Sequence, residues 1–188
     1  MDINISNQKR ATLVGFIILL AYSMLTYTIT KNVILGFITD IISGIAVILI
    51  PFLLFPIFDS IENKKLNYGY FASRIIEGIL MIIGGIFILN SSIETYRDYI
   101  YQSIHIYFFI SGALFFYVLF FRTKVIPRFI SVWGVLATFI LLVVTIIRLF
   151  GVNSIILDSF LLPTIICEWF LAIWLITKGF KMKNNGKK

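Results

Sequence analysis

Six long apolar runs dominate this 188-residue chain, and they leave few folds open to it. They cover residues 11–30, 34–58, 68–89, 100–121, 127–150 and 155–179. A bilayer core about 30 Å thick is crossed by about 20 residues of helix, the length these runs reach. In hydrocarbon an unpaired backbone N–H or C=O costs several kcal/mol, so such a run must satisfy its backbone internally, as a helix does. A membrane β-barrel would alternate apolar and polar residues over shorter segments, and none of these runs alternates. The sequence therefore predicts an all-α integral membrane protein, a single domain over 1–188 built as a bundle of about six transmembrane helices. Composition agrees: 60% of residues are hydrophobic and 13% charged, against about 45–50% and about 25% in soluble domains. The lipid bilayer is the solvent such a surface requires.

Basic residues set the expected orientation through the positive-inside rule. With the N-terminus in the cytosol, the inner segments carry Lys9, Arg10, Lys64, Lys65, Arg122, Lys124, Arg128, Lys178, Lys181, Lys183, Lys187 and Lys188, and the outer ones only Lys31, Arg97 and Arg148. Both termini are thus expected inside, in a multi-pass protein of the cell (cytoplasmic) membrane. Lys9-Arg10 before the first run resembles a signal peptide, but the run has no small-residue cleavage site and further spans follow. It reads as an uncleaved first helix. The basic tail over 180–188 is expected to anchor the chain on the inner face and attract anionic lipids. The net charge of +7 does not point to nucleic acid, because no basic face interleaved with aromatics is available to follow a phosphate backbone. One cysteine, Cys167, excludes an intramolecular disulfide and a cysteine metal cluster. One histidine excludes histidine-box and HExxH metal sites. No metal and no cofactor is expected.

Connections between the runs are short, so any activity must arise between the helices or at their ends. Ionisable groups inside a span are costly and usually face the bundle interior. In the second run Asp40, Ser43, Gly44, Val47 and Pro51 share one helical face, and in the fifth Gly134, Thr138, Leu141, Thr145 and Arg148 do the same. Asp40 and Arg148 both lie near the outer surface, so an outer-half pair between them is expected. In the third run Arg74 and Glu77 are three residues apart on a side continued by Gly78, Met81 and Gly85. In the sixth, Thr164, Glu168 and Ala172 share a face after Pro163. Glu77 and Glu168 both count to the midplane, with Arg74 about one turn nearer the cytosol. Glu77, Glu168 and Arg74 are the expected binding residues, and carboxylates at that depth suit proton exchange. The competing reading is an Arg–Glu lock that fixes helix register. His105 is expected as an interfacial polar residue near the outer end of the fourth run. Hydroxyls of the first run, Ser23, Thr26 and Thr30, are expected to bond carbonyls of their own helix.

Several of these residues also carry a family resemblance. Leu54-Phe55-Pro56, followed by Tyr70-Phe71-Ala72-Ser73-Arg74-Ile75-Ile76-Glu77-Gly78, resembles a segment of a bacterial membrane-protein family known as domain of unknown function 4386 (DUF4386). Phe121-Arg122-Thr123-Lys124-Val125-Ile126-Pro127-Arg128, with Trp133-Gly134 after it, is similar to that family's "SxLIPRwLsxWG" run. Pro163, Glu168, Leu171-Ala172 and Trp174-Leu175-Ile176-Thr177-Lys178-Gly179-Phe180 resemble its "P…ExxLAxWLIxKGF" ending. The resemblance implies a multi-span bacterial membrane protein and singles out Arg74, Glu77, Pro127, Arg128, Glu168 and Lys178; it implies no biochemical role.

Three functions are compatible with these residues. The first is a small binding or transport bundle for a lipophilic or protonatable molecule, centred on Glu77 and Glu168. The second is a non-catalytic accessory protein that packs against another membrane protein or a second copy, with Gly78, Gly84 and Gly85 as its close-contact face. The third is an intramembrane enzyme acting on lipid, for which few nucleophiles, bases or metal ligands converge and no catalytic residue is assigned.

Overall fold

The computed structural model describes residues 2–90, 95–152 and 154–181. Among these there are six helices long and apolar enough to cross a membrane, and no strand. We label them α1 (Asn7–Thr30), α2 (Val33–Phe58), α3 (Ile61–Ile88), α4 (Thr95–Thr123), α5 (Arg128–Leu149) and α6 (Ile156–Thr177). The shortest has 22 residues, which at about 1.5 Å per residue is enough for a core about 30 Å thick.

Each helix packs on the next in sequence, and α6 returns to pack on α1, so the bundle is a closed ring. At one end Gln8 Nε2 donates to the Phe180 carbonyl at 2.9 Å and the Lys181 N–H donates to the Val125 carbonyl at 2.6 Å. The start of α1, the α4–α5 connection and the segment after α6 therefore meet there. Of the basic tail, Lys183, Lys187 and Lys188 lie outside the described residues.

Local sequence explains the turns. Lys31 ends α1 in the left-handed conformation (φ 53°) and Asn32 caps α2 by accepting the Leu35 N–H at 3.0 Å. Lys124 ends α4 in the same way (φ 59°) before Pro127. Near the end of α2, the Phe55 carbonyl accepts from Asn67 Nδ2 of α3 at 3.1 Å. That bond gives a partly buried helix-terminal acceptor a partner.

α2 and α3 pack with their backbones close together. A Cβ on Gly44 would stand 2.7 Å from the Gly78 carbonyl oxygen, and one on Gly78 2.6 Å from that of Gly44. Only hydrogen at both positions lets the two backbones meet. Gly84 and Gly85 are likewise covered from within, by Tyr101 and Asp40. The glycine face expected to receive a partner is occupied by this chain's own helices.

Polarity is inverted relative to a soluble domain. Asp40, Arg74, Glu77, Arg97, His105 and Glu168 are buried, while Phe16, Ile45, Phe52, Ile79, Leu136 and Phe139 face outward. A surface of that kind has lipid for its solvent. The face expected on α2 (Asp40, Ser43, Gly44, Val47, Pro51) is buried throughout, as are Gly134, Thr138, Leu141 and Thr145 of α5.

Candidate functional site

Two groups of charged residues occupy the interior. The first lies toward the end of the bundle away from the termini. There Asp40, with no exposed surface, accepts from Arg97 Nε at 2.8 Å and from Arg97 Nη2 at 3.1 Å. Arg97 Nη2 also reaches the Met24 carbonyl at 3.4 Å, and its guanidinium lies 4.8 Å from the Tyr27 ring and 4.5 Å from the Tyr101 ring. This corrects the expected Asp40–Arg148 pair. Arg148 instead bonds Asp158 at the α5–α6 end, in a half-exposed setting. Arg97, expected in an outer loop, is in the core because α4 begins at Thr95 rather than at residue 100.

The second group sits at mid-depth. Arg74 Nη1 bridges both oxygens of Glu77, at 3.0 and 2.8 Å, and the guanidinium lies 5.4–5.9 Å from the rings of Phe109, Tyr70 and Phe116. Gly112 of α4 makes room for it, since a Cβ there would stand 3.1 Å from Arg74 Nε. His105 Nε2 is 3.8 Å from Glu77 Oε1, beyond hydrogen-bond reach. His105 is buried, its ring between those of Tyr101 and Phe109. The interfacial position expected for it is therefore corrected. A π-helical segment over Tyr101–His105 gives α4 an extra residue in this stretch and accompanies the inward placement. Across the interior, Glu168 of α6 accepts from the Tyr22 hydroxyl at 3.0 Å.

All six helices line a cavity of about 250 Å³ between these groups. Arg74, Glu77, His105 and Glu168 are on its wall, with Tyr22, Tyr101, Phe109 and Phe116 among an otherwise aliphatic lining. Several of these polar groups are not saturated. Arg74 Nε, His105 Nε2, Glu168 Oε1 and the Tyr101 hydroxyl have no hydrogen-bond partner. Buried polar atoms are normally paired, so four orphans around one cavity mark a place able to take hydrogen bonds from a guest. The arrangement offers both donors and acceptors in a largely apolar, partly aromatic lining.

A second, more polar vestibule of about 480 Å³ lies between α4, α5 and α6, where Arg148 and Asp158 stand. It shares Tyr101, Ile106, Leu141 and Leu161 with the central cavity. Its α6 wall is irregular: the helix over Ile155–Ser159 is interrupted at Phe160–Leu161 before Leu162–Thr177 resumes. Pro163 lacks the N–H that would continue the ladder, which accounts for the break.

The remaining hydroxyls divide. Thr30, Thr138 and Thr145 bond carbonyls of their own helices. Ser23, expected to do likewise, lies in a 3-10 turn and joins α1 to α2 through Ser43 Oγ (2.9 Å) and the Thr39 carbonyl (3.3 Å). Thr164 Oγ1 donates to the Ala137 carbonyl of α5 at 3.2 Å. Of the other positions singled out by the resemblance, Arg128 starts α5 at the surface beside the Phe121 ring, Pro127 is buried next to it, and Lys178 is exposed after α6.

Residues 25–179 match the model of a family described as Domain of unknown function (DUF4386). No curated protein and no solved structure matches the chain.

Proposed function

The chain belongs to the DUF4386 family, and for this member we propose a small binding or transport bundle that receives a lipophilic or protonatable small molecule in the central cavity. Glu77, Glu168 and Arg74 are its polar contacts, with His105 as a further one. The observation that carries this reading is the set of unpartnered polar atoms around a cavity lined by every helix. A purely structural Arg–Glu lock would saturate its own groups and close the space around them. The vestibule supplies a route toward one end of the bundle.

On this reading the protein lies in the cytoplasmic membrane of a bacterium with both termini in the cytosol. The distribution of Lys and Arg supports that orientation. The lysines around the chain's end attract anionic lipid.

The test is a thermal-shift screen of the full chain in lipid nanodiscs against small aromatic and aliphatic amines, alcohols and acids. A stabilising compound is expected. Glu168→Gln is expected to leave the ligand-free melting temperature within a few degrees and to abolish the ligand-induced rise. Glu77→Gln, which leaves Arg74 without its buried partner, is expected to lower the ligand-free melting temperature as well as to abolish the rise. Stabilisation that survives both substitutions would refute the site. Stable capture of a membrane-protein partner, tolerant of both substitutions, would favour an accessory role instead.

A further inference from the structure

We propose that the guest of the central cavity is a small lipophilic amine, bound as its cation against Glu168; this rests on the small-molecule reading above and names its substrate class.

The charges on the cavity wall do not balance. Glu77 is matched by Arg74 at 2.8 Å. Among the described residues no Lys, Arg or His nitrogen lies within 4.0 Å of Glu168, whose Oε2 has the Tyr22 hydroxyl and whose Oε1 has nothing. A protonated His105 would not change this, because its Nε2 faces Glu77 at 3.8 Å. Glu168 is only 7% exposed, so bulk solvent screens its charge weakly. An ammonium supplies both what the carboxylate lacks, a hydrogen-bond donor and a positive charge.

The rest of the wall fits the body of such a molecule. The Tyr22, Tyr101, Phe109 and Phe116 rings are on it, and aromatic faces attract cations as well as apolar groups. At about 250 Å³ the space is below the about 300–1,000 Å³ of pockets for drug-sized ligands, which points to a single-ring or short-chain amine. A carboxylic acid would add a third carboxylate beside Glu77 and Glu168, with a single guanidinium, bonded to Glu77 through Nη1, to face all three.

The experiment is isothermal titration calorimetry of the full chain in nanodiscs, with empty nanodiscs subtracted. Phenethylamine, phenethyl alcohol and phenylacetate serve as probes of similar shape and different charge. The amine is expected to bind at least about tenfold more tightly than the alcohol, with the acid weakest, as a desolvated charge pair requires. Glu168→Gln is expected to bring amine and alcohol within about threefold of one another. Equal or preferred binding of the alcohol overturns the amine assignment and points to a protonated Glu168, yet leaves the small-molecule site standing. Preference for the acid does the same and shifts the contact to Arg74. An amine preference that persists in Glu168→Gln overturns the role of Glu168. If no probe binds, and lipid extracted with the protein fills the cavity, the small-molecule reading falls as well.

Discussion

Replacing Arg97 with Met is expected to destabilise the bundle by about 3 kcal/mol, and the figure follows from what Arg97 touches. Its guanidinium makes two hydrogen bonds to Asp40 and lies over two tyrosine rings. Asp40 has no exposed surface, so losing Arg97 strands it. Breaking a buried pair by removing one partner costs about 3–5 kcal/mol, and the lower end applies because a stranded carboxyl can discharge by protonation. Asp40→Asn combined with Arg97→Gln keeps a neutral hydrogen bond without the stranded charge. The two substitutions are therefore expected to couple by about 2 kcal/mol. Arg148→Met is the control. Its pair with Asp158 is half-exposed, and such pairs contribute about 0–1 kcal/mol. The assay is reversible unfolding in mixed micelles by SDS titration, followed by tryptophan fluorescence. An Arg148→Met loss as large as that of Arg97→Met would refute the pairing, and so would strictly additive Asp40 and Arg97 losses.

Other outcomes follow from the same packing. Gly78→Ala forces a Cβ within 2.6 Å of the Gly44 carbonyl oxygen and 2.5 Å of Ile48 Cγ1; it is expected to cost about 1–3 kcal/mol. Ile79→Ala, on the adjacent outward-facing residue, is expected to stay within about 0.5 kcal/mol by the same titration. Asn67→Leu removes the partner of the partly buried Phe55 carbonyl and is expected to cost about 1 kcal/mol. Cys167 has no exposed surface, so it is expected to resist a membrane-permeant maleimide in the folded bundle and to react on unfolding, read by mass spectrometry. Prompt labelling of the folded protein would contradict its burial.

Helical spacing carried most of the interior, because burial in this fold follows one face per helix. The α2 face through Asp40 and Pro51, the Arg74–Glu77 side of α3 and the Thr164–Glu168 side of α6 could each be counted from the sequence, and all are buried. Partner choice was less legible. Arg97-Asp98 beside Tyr96 and Tyr99 has the composition of a loop, which sets the expected start of the fourth span at residue 100, beyond Arg97. The signal for it was present: Arg97 and Tyr101 are four residues apart, one helical turn, and both turn inward against Gly84. His105 escaped for a different reason. A π-segment adds a residue to the period, and no apolar count reports that in advance. The break in α6 could be anticipated from Pro163, but its position beside a vestibule depends on how α4 and α5 stand.

The two charge groups share composition, burial and neighbouring aromatics, yet they differ in saturation, and that difference is what favours the proposed binding role for one of them. At Asp40 and Arg97 the carboxylate oxygens are both engaged, the guanidinium reaches a backbone carbonyl besides, and tyrosines cover it on two sides. Both charged side chains of the pair are thus engaged with each other and with the chain, and the pair holds α2 and α4 together. At Arg74, Glu77, His105 and Glu168 the same residue types leave a guanidinium nitrogen, an imidazole nitrogen and a carboxylate oxygen without partners around open space. Leaving a buried polar group unmade costs about 1–3 kcal/mol, so three such groups beside one cavity are a standing penalty that a guest with matching groups would remove. A bundle needing only register could have met it with the Asp40–Arg97 pair alone.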